Sequence, residues 1–316
     1  MYRSAILILI GSLTVGTASA PSNKDSSASA SPANSTQVHM IVTVEPRKGH
    51  DVPVVRPEDV TVLEGKNRDQ VVDWIPAQGD HAALEFFVLI DDGSSSALGT
   101  QLRDIKTFIS TLPSNAKVGV AYMQNGTAKI EQDLTTDHDR AARAVRLPLG
   151  YFTANASPYF SLTDLVKRWP QDNTRHEVIM VTNGFDPYYG TGDLQDPYLT
   201  AAIDDCQRAG VVVSAIYAPG AGRFGHSYWL NYWGQNYLAK LTQDTGGEGY
   251  YLGFTGASPD FSPYLKNAAE RLNHQYILVF LANPGDKSGL HSVKLRTESH
   301  NVDLTAASRV YVPSAQ

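Results

Sequence analysis

The chain has 316 residues, 42% hydrophobic and 18% charged, with a formal net charge of −6, the balance of an ordinary globular protein able to bury one large core or two modest ones. The acidic balance speaks against a general nucleic-acid binder, which needs a basic face to neutralise phosphates. The single cysteine, Cys206, excludes an internal disulfide framework.

Met1–Ala20 carries Arg3 near its start, an apolar core over Ala5–Val15 and small residues from Gly16 to Ala20. That is the pattern of a cleaved export signal. Its apolar part is short for a bilayer span, so the reading is an exported protein, periplasmic or secreted, with no membrane span after signal removal. Ala18-Ser19-Ala20 fits the small-x-small rule. Pro21 hinders a cut after Ala20, and Gly16 with Ala18 offers a second position. Pro21–Thr36 is rich in Ser, Ala, Asn and Pro with no large apolar side chain, which reads as a flexible linker.

Val38, Met40, Val42 and Val44 alternate along a half-buried strand. Val60–Leu63, the turn Glu64-Gly65-Lys66-Asn67 and Val71–Ile75 read as a hairpin. From Leu84 onward apolar strands alternate with helical patterns. Phe86–Ile90 is an uninterrupted apolar run, so it reads as a strand buried on both faces. A helix over Leu98–Leu112 follows. Lys117–Met123 then turns at Gln124-Asn125-Gly126 into Thr127–Glu131. Two helices come next, one capped by Asp137 and one carrying Leu162, Leu165, Val166 and Trp169. Strand Val178–Val181, a helix around Tyr198–Ala209, strand Val211–Tyr217, a helix around Trp229–Leu241 and strand Tyr250–Leu252 continue the alternation. A helix near Tyr264–Leu272 and strand Tyr276–Phe280 close it. Long crossovers between apolar strands predict an α/β fold with a doubly wound, mostly parallel sheet. Leu290–Thr297 and Val302–Val312 alternate again and read as antiparallel strands that join those of Val38–Ile75 in a small β-module. The expected organisation is signal 1–20, linker 21–36, N-terminal β segment 37–80, α/β domain 81–283 and C-terminal β segment 284–316, with the α/β domain inserted in the module.

Chemistry-bearing residues gather where apolar strands end. Phe86–Ile90 is followed by Asp91-Asp92-Gly93-Ser94-Ser95-Ser96 and Val178–Val181 by Thr182-Asn183-Gly184; in open α/β sheets this is the crevice that holds ligands and ions. Tyr188-Tyr189 follows one of these loops. Phe224, Tyr228 and Trp229 follow the strand Val211–Tyr217. Aromatic rings with a polar handle suit binding surfaces, and exposure is expected for Tyr188, Tyr189 and Phe224. Trp233 and Tyr237 are expected in the core. There is no Gly-x-Ser-x-Gly elbow, phosphate loop or His-Glu-x-x-His. Cys206 reads as a buried inert thiol, and Asp204-Asp205 as a solvated helix face.

Asp91-x-Gly93-x-Ser95, followed by an apolar strand ending in Thr182-Asn183-Gly184, resembles the von Willebrand factor A domain. The likeness extends over Leu89–Gly93, Leu98–Leu102, Ser157–Leu162, Trp233–Leu238, Thr245–Gly247 and Gln275–Leu278, which are similar to exported VWFA-related proteins abundant in acidobacteria. Val42–Val44 and Val60–Lys66 resemble that group's N-terminal β segment. The resemblance implies a metal-ion-dependent adhesion site, Asp-x-Ser-x-Ser completed by a middle-loop Thr and an Asp after the fourth strand. The favoured register is Asp91, Ser95 and Asn183, because the family aspartate directly follows the last apolar strand residue, here Ile90. Asp92, Ser94 and Ser96 form the alternative register. Ser157, Ser161 and Thr163 lie where the middle-loop residue belongs. Gly93 lacks a hydroxyl and Asn183 a carboxylate, so the site reads as degenerate, holding Mg2+ or another divalent cation weakly or not at all; the same residues also suit loop fastening and helix capping. The expected function is non-enzymatic binding of an extracytoplasmic protein at this edge. The alternatives are a glycan-binding module using Tyr188, Tyr189, Phe224 and Tyr228, and a hydrolase with loop-borne acids.

The export reading predicts that protein recovered from outside the cytoplasm has an intact mass starting at Ser19 or Pro21. A mass that retains Met1 would remove it.

Overall fold

The computed structural model describes residues 35–47, 52–150, 157–170, 172, 174–189, 192–221, 227–251, 260–284 and 287–314. The segment read as an export signal and nearly all of the expected linker lie outside them. In chain order the strands are β1 (Thr36–Pro46), β2 (Val60–Glu64), β3 (Asn67–Pro76), β4 (Leu84–Asp91), β5 (Lys117–Gln124), β6 (Thr127–Thr135), β7 (Arg175–Thr182), β8 (Val211–Tyr217), β9 (Gly249–Tyr250), β10 (Gln275–Ala282), β11 (Gly289–Thr297), β12 (Val302–Ala306) and β13 (Arg309–Val312). The helices are α1 (Gln101–Thr111), α2 (His138–Ala144), α3 (Pro158–Arg168), α4 (Pro197–Ala209), α5 (Tyr228–Thr245) and α6 (Ser262–Asn273).

Six strands form a mostly parallel sheet in the order β6-β5-β4-β7-β8-β9. Only β5 and β6 run antiparallel, joined at Asn125 and Gly126 with φ of 51° and 74°. Positive φ at both central residues gives the turn a twist that matches the flanking strands. β4 and β7 are buried almost end to end, as their apolar runs require. Adjacent residues of a strand point to opposite faces, and β4 shows that both faces are covered. Phe86 meets Phe108 of α1 with ring centroids 5.4 Å apart, while Phe87 meets Trp169, just after α3, at 5.2 Å. Gly119 on β5 makes room for the Phe87 ring, into which a Cβ would run. Cys206 is buried on α4 and burial pushes its thiol up, which holds it in its inert form.

The other seven strands form one antiparallel sheet in the order β12-β1-β10-β3-β2-β11-β13. Its ends come together, with β1 touching β13 and β11 touching β12. Val38, Met40, Val42, Val44, Trp74, Leu278, Phe280 and Val312 line the enclosed core. Two expectations are corrected here. The strand Tyr276–Phe280, read as the last of the α/β domain, is β10 and lies between β1 and β3 in the antiparallel sheet. Val302–Val312 is two strands, because Ala307 bridges to Thr245 and the Ser308 N–H donates to the Asp244 carbonyl at the end of α5.

These contacts seat the antiparallel sheet on the amino edge of the parallel one. The Arg175 guanidinium, at the start of β7, donates to Gln275 Oε1 at 2.6 Å, to the Leu272 carbonyl at 3.2 Å and to the Ala82 carbonyl at 3.1 Å. Gln275 in turn donates to Glu177 Oε1 at 2.6 Å, and Arg271 of α6 pairs with Glu45 of β1. Asp204, expected on a solvated helix face, pairs with Arg309 of β13 at 2.5 Å, and Asp205 with Lys167 at 3.4 Å. The carboxyl edge is left to loops.

Burial, opposed by Gln275 and the arginines, pushes the Glu177 carboxyl up from 4.5 to about 7. A group raised on folding contributes stability that is complete below its unfolded value and lost as pH rises through its folded value. Glu177→Gln keeps an acceptor for Gln275 and cannot ionise. Its stability should therefore fall less between pH 5 and pH 8 than that of the parent, by up to about 3 kcal/mol at about 1.4 kcal/mol per pH unit. Urea unfolding across that range measures the difference.

Candidate functional site

In the strand order, chain progression runs β4, β5, β6 to one side and β7, β8, β9 to the other. The switch point, where such sheets open a crevice at their carboxyl ends, lies between β4 and β7. Asp91 ends β4 and Thr182 ends β7, and the Thr182 hydroxyl donates to Asp91 Oδ2 at 2.8 Å across this gap. The Gly93 N–H donates to Asp91 Oδ1 at 2.8 Å. Burial pushes the Asp91 carboxyl up, against the pull of these two donors. Ser95 Oγ accepts the Ala97 N–H at 3.2 Å, capping a 3-10 turn over Ser96–Gly99. Asn183 Oδ1 turns back to the Phe185 N–H at 2.8 Å. Each residue of the favoured register thus makes a local fastening bond. As ligands they amount to one carboxylate with both oxygens already accepting, one capping hydroxyl and one neutral amide. This set does not fit the near-octahedral oxygen shell of Mg2+, and no function is derived through an ion at Asp91.

Asp92 faces elsewhere. Arg146, in the segment after α2, grips it with two N–H donors at 2.7 and 2.8 Å. Gln124 Nε2 adds a bond at 2.5 Å and the Leu149 N–H one at 3.0 Å. Burial works against the charge, but these donors outweigh it and hold the Asp92 carboxyl below its usual range. Arg146 also lies 3.8 Å over the Tyr122 ring, a cation–π contact. In the alternative register, a cation at Asp92 would have to displace a bidentate guanidinium. Ser94 is buried, with no hydrogen-bond partner for Oγ among the described residues, and Ser96 sits exposed in the 3-10 turn.

The loop after β7 is held against α5 by glycine. Gly184 has φ +68°, and a Cβ on it would strike Leu238 and the Gly234 carbonyl; a Cβ on Gly234 would strike the Asn183 carbonyl. Asp186 is fully buried in this loop. Its Oδ1 accepts the N–H groups of Tyr188 and Tyr189 at 2.6 and 3.3 Å, and its Oδ2 accepts the Ser157 hydroxyl at the N-cap of α3. Asp196 caps α4 through Oδ1, with the N–H groups of Tyr198 and Leu199 at 2.8 and 3.0 Å. The Ser157–Asp186 pair fastens the loop after β7 to the start of α3. Among the described residues no group of three or more His, Cys, Asp or Glu could hold a metal ion.

The aromatic residues divide by helix face. Gly234, Tyr237, Leu238 and Leu241 mark the buried side of α5. Tyr228 (67% exposed), Trp229 (44%) and Tyr232 (45%) lie opposite. Tyr188 is 49% exposed against Phe160 and Tyr198, Tyr189 is half-buried, and Phe224 lies outside the described residues. Phe185, in the loop after β7, meets Trp229 of α5 with centroids 5.6 Å apart. Sequence reasoning missed the exposure of Tyr232, although the period of the buried face places it outward. It also missed Arg146, for which no local signal existed.

Replacing Arg146 with Met should destabilise the fold by about 3 kcal/mol, because it strands a buried carboxylate. Adding Asp92→Asn should recover part of the loss, which a denaturant double-mutant cycle measures.

No family model and no curated protein matches the chain. Among solved structures it is similar to an aerotolerance-related membrane protein from Bacteroides fragilis, at 15% identity and a TM-score of 0.45 over 60% of this chain and 98% of that one. It is similar to the conserved hypothetical protein BatB from Bacteroides thetaiotaomicron, at 17% identity and a TM-score of 0.44 over 60% and 97%. The VWA domain of SpRpn10 gives 14% identity and a TM-score of 0.37 over 58% and 94%. Among the described residues no helix is long and apolar enough to cross a membrane.

Proposed function

We propose that this is an exported, non-enzymatic binding module that engages another extracytoplasmic protein through the loops at the carboxyl edge of its parallel sheet. The observation that carries the reading is the exposure of Tyr188, Tyr228, Trp229 and Tyr232. They belong to the loop after β7 and to the start of α5, which follows β8. Such rings are enriched at protein interfaces because they bury large apolar area at low conformational cost. The polar groups beneath them are tied inward: Asp91 to Thr182, Asn183 to Phe185 and Asp186 to Ser157. Hydrogen bonds made before binding lower the ordering entropy that binding must supply at these residues. The export pattern of Met1–Ala20 and the motif resemblance to the von Willebrand factor A domain support the same reading. Recognition is assigned to side chains, with no cation at Asp91 required.

A glycan is the second reading, favoured by the Tyr228 and Tyr232 rings, whose planes lie within 12° of each other. A photo-crosslinking residue placed at Tyr188 or Tyr228 should give discrete protein adducts in the native extracytoplasmic milieu. The same residue at Val72, exposed on β3, should give none. Equal adducts at both places would overturn the proposal, and binding confined to a glycan array would replace it with the second reading.

A further inference from the structure

The amino ends of the parallel strands carry a row of titratable groups that the carboxyl edge does not use. Lys117 of β5, Glu85 of β4 and His176 of β7 are partners in the sheet register, so their side chains share one face. Trp169, just after α3, covers that face. Its Nε1–H donates to Glu85 Oε2 at 2.6 Å, and its ring lies on the His176 imidazole with centroids 4.7 Å apart and planes 30° apart. Lys117 Nζ donates to Glu85 Oε1 at 3.0 Å. His176 is 2% exposed. Its Nε2 stands 3.4 Å from Asp172 Oδ1 and 3.7 Å from Glu85 Oε2. Neither approach is a hydrogen bond, and Nε2 has no partner among the described residues.

A buried imidazole nitrogen that faces two carboxylates and bonds to neither is an incomplete arrangement. As a bare lone pair Nε2 would repel both acids; carrying hydrogen, it can donate to either. A proton added to the ring brings attraction to two negative charges at a site with little water. Asp172 and Glu85 are the charges that act on His176. Lys117 acts on Asp172 and is held by Glu85, Val211, the partner on β8, is apolar, and Trp169 is neutral. Burial pushes the imidazole below its ordinary value of 6.5, against the pull of Asp172 and Glu85. The ring is therefore neutral at pH 7 and takes up its proton in acid.

We propose that His176 is an acid-operated clasp: when a proton from solvent charges the ring, Nε2–H closes onto Asp172, with Glu85 as the second acceptor, and ties Asp172 to the starts of β4 and β7. Glu85 already has a donor on each oxygen and stays in place. Asp172 is the partner that moves, since its side chain is 47% exposed and its Oδ1 accepts only the Thr174 N–H, at 2.8 Å, among the described residues. Such a histidine, neutral in one state and paired in the other, is the usual element of a pH-dependent contact. The clasp shares no residue with the carboxyl edge and does not depend on the binding reading above.

The histidine ring resonances of the isotopically labelled full chain are followed by NMR from about pH 8 to about pH 4, with tryptophan fluorescence alongside. His176 should titrate below 6.5 while the fold is intact, and the Trp169 Nε1–H resonance should shift with the same midpoint. Emission should fall in step, because an imidazolium stacked on an indole quenches it. Asp172→Asn keeps an acceptor for the Thr174 N–H and removes the charge, so it should lower the midpoint by about half a pH unit or more. His176→Gln should abolish the fluorescence step. A ring that stays neutral until the chain unfolds overturns the proposal, and so does a midpoint that Asp172→Asn leaves in place. The parent chain and the exposed Asp172→Asn variant carry the decision, so a His176→Gln chain that fails to fold does not affect it.

Discussion

The arrangement turns on a buried polar seam between the two sheets. Arg175 of β7 reaches across to Gln275 and Leu272, Gln275 reaches back to Glu177, and Arg271 reaches Glu45. Taking these charges out of water costs several kcal/mol each, which attraction and hydrogen bonds return only in good geometry. Apolar packing tolerates sliding; a guanidinium that must meet three named acceptors does not. The seam therefore fixes which edge of the parallel sheet is covered. It also explains why β10 starts as it does, with Gln275 under β7 and Leu278 and Phe280 in the second core. With the amino edge closed, the carboxyl edge is where loops can vary without disturbing either core.

At that edge the acids at the end of β4 divide the work. Alternation along a strand sends adjacent side chains to opposite sides. Asp91 goes to the gap with β7, and Asp92 goes beneath the segment that carries Arg146. One acid ties two strands together and the other ties down the chain from Arg146 to Gly150, whose N–H also meets the Asp92 carbonyl at 3.0 Å. The facing loop is positioned by shape. Gly184 and Gly234 let the backbone of that loop lie directly on α5, and Gly192 does the same against Trp229 and Trp233. The aromatic surface and the loop are in this sense one packed unit.

Much of this was legible in the chain because the signal was local. The apolar runs of β4 and β7, the Asn125-Gly126 turn and the Asp137 cap each follow from a few neighbouring residues. The placement of β10 was not legible. A strand after a helix reads as one more βα repeat, and nothing within Gln275–Ala282 says that its partners are β1 and β3, some two hundred residues away. The same limit applies to the site. The position of Asp91 at a strand end could be read directly, while the fate of Asp92 depended on Arg146, 54 residues later. Burial of Asp186 and Asp196 depended on how the loop after β7 folds over α3 and α4, a tertiary fact with no periodic signature.

The amide at Asn183 gives this edge its logic. A carboxylate there would stand next to Thr182, the residue that touches Asp91, and two like charges held so close call for a cation or a proton between them. The neutral amide removes that demand and instead closes a turn onto Phe185. The loop can then be ordered by its own hydrogen bonds, among them those that Asp186 accepts. Because Asp186 Oδ1 carries the N–H groups of Tyr188 and Tyr189 and Oδ2 the Ser157 hydroxyl, the tyrosine segment is fastened to the start of α3 by one carboxylate.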